Sequence, residues 1–496
     1  MDTLTTDRNN DRTTDHARIV LGCLVALYSA LGTIAIRETV LREPDLWWHI
    51  KTGEWMWEHG AFPTTDPFSF TFADQPWIAK EWLSQVIYFA VHSLAGWNGV
   101  MVLAAASVAL AAAALYKFLS EDLRPILAGC VTLVALLLAS PAMSARPHLL
   151  TMVLVVIWTH QLFAASQRRE APAFGWLLLL LLWANLHAAF TFGFVIALFA
   201  FLDFLERTRL TRREMLLRWV AFLALCPTVT LLNPYSYQAI LITWSVVGPN
   251  EAVPLIGEWQ PFNAQSLMVH EFALLGLVFM SLVSGFRLGI ARALFIAVML
   301  HLFLTHLRYA YIMFPTLPIV VAPAIAAQFP RLSAAHWRAQ PRDRLEHMAS
   351  WHFKSIIAGL AALLAVMAAL QAFVLPTAPP ESIAATTALA YVKSKKVSGN
   401  VMNAYNYGGA LIYNGIPTFI DGRADQLFLG GFTKQFAYGP DNEADMIEAL
   451  RKYNIRWTLL YPDDPRTALL DKLPGWKRAF EDKFTVIHRR VEDLTQ

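Results

Sequence analysis

The sequence predicts a polytopic α-helical membrane protein with a small α/β unit after residue 375. Three observations predict it. Hydrophobic side chains make up 56% of the 496 residues and charged ones only 16%, where soluble domains carry roughly a quarter charged. The charges cluster in short stretches between long apolar runs, as in a chain that crosses a bilayer repeatedly. Beyond residue 375, helix-like and strand-like segments alternate, which points to a compact α/β fold.

Residues 1–16 are polar and are expected to form a disordered cytoplasmic tail. The membrane domain is expected over 17–375. Its first span, 17–36, is long enough to cross a hydrocarbon layer of about 30 Å. No small-residue cleavage site follows, so the segment reads as a retained anchor. Further spans are expected near 97–118, 125–141, 148–166, 174–188, 189–205, 216–233, 268–285, 290–305, 308–328 and 353–375, about eleven in all.

Charge gives the orientation. With the N-terminus in the cytoplasm, the inner loops carry Arg124; Arg168 and Arg169; Arg207, Arg209, Arg212 and Arg213; Arg287 and Arg292; and Arg331, Arg338, Arg342 and Arg344. The outer loop 234–266 has no Lys or Arg. This alternation obeys the positive-inside rule and puts the C-terminal unit outside the cytoplasm. The three cysteines, Cys23, Cys130 and Cys226, sit in apolar runs and imply no disulfide framework.

The first outer loop, 37–96, contains two amphipathic patches, DLWWHIKTGEWMWEHG and AKEWLSQVIYFAVHSLAG. Tryptophan prefers the headgroup zone, so both patches read as helices lying along the membrane–water boundary. The extracytoplasmic unit, 376–496, begins with the linker-like TAPPES. In it ESIAATTALAYVKSKK reads as helix, NVMNAY as strand, GGALIYNG as short helix, PTFIDGRA as strand, EADMIEALRKYN as helix, and IRWTLLYP and KFTVIHRR as strands.

Asp45 is the first candidate for chemistry. After Pro44 it reads both as a helix N-cap and as a carboxylate held at the membrane surface, where it would act as a general base. Glu81, between Trp77 and Trp82, is the second carboxylate, with Lys80 beside it. His49 lies one turn after Asp45, and Lys51 follows. Asp45 and His49 are two of the three or four ligands a metal needs, so no metal is assigned and a divalent cation stays open. Polar groups at outer span ends complete the set: Arg146 and His148; Asn185 and His187; Asn233; and His306, Arg308 and Tyr309. Each alone suits capping or snorkelling. Their shared side suits a cavity for an anionic lipid phosphate, whose oxygens match the guanidinium fork. In the tail, DGRAD reads as a loop with a local salt bridge around Arg423, with contact to a sugar or acceptor as the minor reading.

The sequence has no P-loop, GxGxxG, HExxH, CxxC or GxSxG pattern and no basic stripe. ATP-driven pumping, zinc proteolysis and nucleic-acid binding are therefore not expected.

The stretch PDLWWHIKTGEWMWEHGAFPTTDPFSFTFADQPWIAKEWLSQ resembles bacterial membrane proteins of the GT-C glycosyltransferase superfamily, similar to the protein mannosyltransferase and aminoarabinose transferase families. In the resemblance Asp45 takes the place of the catalytic acid. Gly60 and Pro63 match a turn, and Pro76, Trp77 and Trp82 a later aromatic segment. Gly408 to Ile412 and Phe419 to Asp425 match the tails of such proteins. Those families often carry adjacent Asp and Glu, whereas Leu46 follows Asp45 here, which leaves Glu81 to supply a second acid. The resemblance implies a GT-C-like bundle in the bacterial inner membrane. It also implies transfer of a hexosyl or pentosyl group from a polyprenyl-phosphate-linked donor to a glycan, lipid or protein acceptor for the cell envelope. Asp45 would be the base, and Arg146 and Arg308 would hold the leaving phosphate. Two other readings stay open: a transporter or flippase of a lipid-linked saccharide, and a non-catalytic subunit of a polysaccharide assembly.

Overall fold

The computed structural model describes residues 2–208, 212–247, 257–340, 344–437 and 443–493. Arg209, Arg342 and part of the outer loop 234–266 lie outside the described residues. The first helix, Asp2–Ala35, starts well before the apolar run. Six described segments are long and apolar enough to cross a membrane: Asp15–Ala35, Trp82–Asp122, Pro147–Gln167, Ala188–Thr208, Leu307–Gln328 and Phe353–Phe373. Four shorter apolar segments accompany them: Pro125–Leu138, Phe174–Leu186, Met268–Ser284 and Ile290–Thr305. The chain is thus a multi-pass membrane protein, although these helices do not reproduce the expected count of about eleven spans.

Local chemistry sets the boundaries near the site. Prolines open Pro125–Leu138 and Pro147–Gln167, where a missing N–H costs nothing. Helix Asp45–His59 follows Pro44 and ends at Gly60. The Trp82–Asp122 helix breaks at Ala95 and Gly96, and Gly96 has φ +56° and ψ −148°. Only glycine adopts that backbone without strain. The break divides the helix where the second amphipathic patch ends, so that patch is a distinct piece. Arg292, expected in an inner loop, is instead 1% exposed inside the bundle and pairs with Asp203 at 3.1 Å. Its other N–H donates to the Val320 carbonyl at 2.8 Å, which satisfies a charge that would be costly alone.

The C-terminal unit holds a four-stranded sheet in the order β1-β2-β4-β3. The strands are β1 (Asn400–Asn403), β2 (Ile455–Leu459), β3 (Trp476–Glu481) and β4 (Val486–Arg490). β1 and β2 run parallel, and the other neighbours run antiparallel. PTFIDGRA is not a strand of this sheet. Its backbone polar groups are satisfied elsewhere. Asn403 accepts the Phe419 N–H at 3.0 Å and donates to the Ile420 carbonyl at 2.8 Å. Thr418 exchanges backbone bonds of 3.1 Å with Phe68 and Phe70 of the first outer loop.

That exchange joins loop 37–96 to the C-terminal unit. Trp47, Trp48 and Trp77 belong to the hydrophobic core of the C-terminal unit, together with Phe419, Phe428 and Trp457. The expectation that these tryptophans anchor in headgroups is corrected: the tail covers them. Trp57, 73% exposed, remains outward on the same helix.

Candidate active site

A cavity of about 340 Å³ opens where loop 37–96, the neighbouring helix ends and the C-terminal unit meet. Asp45, His49, Lys80, Glu81, Arg146, His148, His187, Arg308 and Tyr309 all line it. Tyr405, Gly422 and Asp425 line it from the tail. Residues far apart in sequence thus share one chamber.

Asp45 is not the N-cap. Pro44 holds that position, without a side-chain cap. The Asp45 carboxylate accepts the Trp48 indole N–H at 3.0 Å and pairs with Arg146 Nη2. Arg146 Nε lies 2.9 Å from Glu43 Oε1. The Arg146 carbonyl accepts the Tyr88 hydroxyl at 3.0 Å, so its backbone is fixed at the mouth of Pro147–Gln167.

Glu81 forms a second cluster. Its Oε1 accepts the Ala188 N–H at 3.3 Å and lies 3.4 Å from His187 Nε2. His49 Nε2 lies 3.9 Å from its other oxygen. His187 Nδ1 accepts the Ala189 N–H, and Gln85 donates its amide to His49 Nδ1 at 3.3 Å. Both neutral imidazoles therefore carry their proton on Nε2, facing Glu81. Burial, with the nearby Arg146 charge, holds His49 well below the usual imidazole range. Burial, with His148 and Arg308, does the same to His187. Burial raises Glu81, against the pull of Lys80 and the Ala188 N–H. Neutral donors thus surround one shielded carboxyl.

The other cations have partners. Lys80 pairs with Asp425 of the tail, and the Arg308 guanidinium stacks on Trp259 with a ring-centre distance of 4.2 Å. His148 Nε2 lies 2.5 Å from the Ala142 carbonyl. The Tyr405 phenol is held well above its usual range by burial first and then by the charges of Asp45 and Asp421.

Four candidates do not line the cavity. Lys51 pairs with Glu54 at 2.6 Å. Asn233 is buried, donating to the Ala184 carbonyl and accepting the Tyr235 N–H. His306 Nδ1 bonds the Trp259 carbonyl at 2.8 Å and so sets the platform under Arg308. Asn185 accepts the Trp82 indole N–H at 2.7 Å. Glu43 and the tail residues Tyr405 and Gly422 were not among the candidates. The signals for them were the acid two positions before Asp45 and the YNYGG and IDGRAD stretches. Among the described residues no group of three or more His, Cys, Asp and Glu is arranged to hold a metal ion.

DGRAD does hold a local salt bridge, Arg423 to Asp421 at 2.8 Å, but its reach is wider. Arg423 also bonds Asp66 of the first outer loop at 2.5 Å and lies over the Phe68 and Trp77 rings. Gln426 exchanges two bonds of 3.1 Å with the backbone of Ile78.

The fold is that of a multi-pass helical bundle capped by a small α/β unit, with a polar chamber between them. A crystal structure of ArnT from Cupriavidus metallidurans bound to undecaprenyl phosphate is similar, with a TM-score of 0.50 and 16% sequence identity, covering 95% of this chain and 97% of that one. The expected helical bundle with a small C-terminal α/β unit is therefore the fold of this chain, and that crystal structure shares it. No protein-family model matches the sequence, and no curated protein does.

Proposed function

We propose that this chain is an integral membrane glycosyltransferase of the bacterial inner membrane. It moves a hexosyl or pentosyl group from a polyprenyl-phosphate donor to an acceptor outside the cytoplasm, and the anomeric centre inverts. The N-terminus lies in the cytoplasm, and the unit after residue 375 lies outside. The observation that carries the reading is one chamber that joins carboxylates to Lys80, Arg146 and Arg308, in a fold shared with a protein crystallised with undecaprenyl phosphate.

The chemistry follows from the charges. An acceptor hydroxyl or amine attacks the anomeric carbon and gives its proton to Asp45. The bond from that carbon to the phosphate oxygen breaks, and the electron pair leaves with the lipid phosphate. Arg146, Arg308 and Lys80 stabilise that anion, which in a shielded site contributes several kcal/mol. Glu81, held by His49 and His187, supports the acceptor side, and His148 and Tyr309 complete the wall. No nucleotide is needed, because the donor arrives already activated.

The test is release of undecaprenyl phosphate by the purified protein in nanodiscs, from a panel of undecaprenyl-phosphate sugars with envelope extract as acceptor. Wild type releases it, and Asp45→Asn lowers the rate by about 10²–10⁴-fold, the range of a lost general base. Equal rates in the two proteins, or no release from any donor, would count against the reading.

A further inference from the structure

Arg146 serves two acids at once. Glu43 meets its Nε at 2.9 Å, and Asp45 meets its Nη2. The two acids are also tied to each other, because Glu43 Oε1 accepts the Asp45 backbone N–H at 3.2 Å. Both side chains are shielded, 8% and 15% exposed. The root of the arginine does not move freely. Its carbonyl is held by Tyr88, and the Ala145 N–H before it donates to the Val40 carbonyl at 2.8 Å.

This arrangement conflicts with the simplest use of Asp45. A carboxylate bonded to a guanidinium is a poor proton acceptor, since the cation favours its charged form. One of its oxygens also takes the Trp48 indole N–H. The phosphodiester of a lipid-linked donor, however, offers two non-bridging oxygens, and the released lipid phosphate three, that fit the same fork.

Resting on the glycosyltransferase reading, we infer that Arg146 is a cation shared in turn by Asp45 and the donor phosphate. Glu43 is the positioning residue that keeps the guanidinium in the chamber by its Nε. The Nη2 end passes from Asp45 to the phosphate when the donor binds, and Asp45 becomes a competent base only then. The donor must therefore enter before the acceptor can be deprotonated, and an empty site does not activate water or acceptor. When the lipid phosphate departs, Arg146 returns to Asp45 and the site is masked again.

The probe is undecaprenyl phosphate, titrated into the full-length protein in nanodiscs of neutral lipid. Asp45→Asn removes the competitor for Arg146, so the lipid binds about tenfold tighter, a coupling of the size expected for a close charge pair. Glu81→Gln removes a carboxylate from the same chamber that does not hold Arg146, and affinity changes by less than about threefold. In an Arg146→Gln background, Asp45→Asn has no further effect. Asp45→Ser repeats the measurement where the Asn variant does not fold. Equal tightening by Asp45→Asn and Glu81→Gln, or tightening that survives without Arg146, overturns the shared cation and leaves the transferase reading intact. A wild-type protein that does not bind undecaprenyl phosphate overturns both.

Discussion

Arg423 of the C-terminal unit and Asp66 of the first outer loop, 357 positions apart, meet at 2.5 Å with neither side chain exposed. Asp421 grips the other edge of the same guanidinium. Phe68 and Trp77 supply aromatic faces above it. One cation thus neutralises two buried acids and pins the tail beside the chamber. The flanking tail residues Gly422 and Asp425 then reach Asp45 and Lys80. The C-terminal unit is part of the wall of the site.

Removing that cation leaves two carboxylates buried and unpaired. Arg423→Met is expected to destabilise the docked tail by about 3–5 kcal/mol, the cost of breaking a buried pair on one side. Asp66→Asn costs less, because Asp421 still satisfies the guanidinium. Limited proteolysis in detergent reads the difference: Arg423→Met exposes the tail to cleavage first, and Asp66→Asn follows wild type more closely. The opposite order would show that the pair does not hold the tail.

Two imidazoles held neutral by burial make stability depend on pH. His49 and His187 both titrate below the usual 6.5 in the folded chain. Below pH 6.5 the unfolded chain binds protons that the folded one does not, so stability falls as pH falls through that window. Glu81 acts in the opposite sense, since its folded value is raised above the usual 4.5. Its contribution is present below that value and is lost as pH rises through the folded one. Two imidazoles oppose one carboxyl, so the net slope is expected to follow the histidines. The melting temperature is expected to drop between about pH 7.5 and about pH 5.5, and His187→Asn should flatten that slope. A melting temperature that rises on acidification would show that Glu81 dominates.

The sequence was informative where local pattern decides structure. Apolar runs disclosed the bundle, because crossing a bilayer demands long uncharged segments. Asp45, Glu81, Arg146 and Arg308 stood out because a charge beside an apolar run is costly without a use. Contacts across hundreds of positions were not legible. Trp47 and Trp77 have the composition of interfacial anchors, and only the docked tail makes them core. PTFIDGRA has the residue types of a strand, but Asn403 and the 68–70 backbone take its hydrogen bonds. Lys51 and His306 lie close in sequence to residues that do line the cavity, and sequence position alone does not say which way a side chain turns.

Trp48 orients the proposed base. Its indole N–H bonds Asp45 Oδ1 at 3.0 Å, while its ring lies against His49 at a tilt of 34°, with ring centres 3.8 Å apart. Trp48→Phe keeps an aromatic ring in that contact and removes the donor. A hydrogen bond to a charged group contributes about 1.5–3 kcal/mol, so turnover should fall about tenfold or more while the melting temperature moves by only a few degrees. Steady-state transfer and a thermal melt on the same preparation separate the two effects. A large loss of stability with unchanged turnover would make Trp48 a packing residue only.

The tail also meets Asp45 at a residue with no side chain. A Cβ on Gly422 would collide with Asp45 Oδ1 and stand 3.1 Å from the Trp48 indole nitrogen. Neither neighbour can yield without cost, since one is bonded to Arg146 and the other to Asp45. Gly422→Ala is therefore expected to displace the carboxylate from its partners. Overpacking of this kind costs about 1–3 kcal/mol, but the Arg423 and Gln426 anchors remain, so the tail should stay docked. The expected signature is transfer reduced by tenfold or more, on the order of 1.4 kcal/mol in the barrier, with a proteolysis pattern like that of wild type. Gly422→Ala with full activity would mean that the tail does not press on Asp45 in the working enzyme.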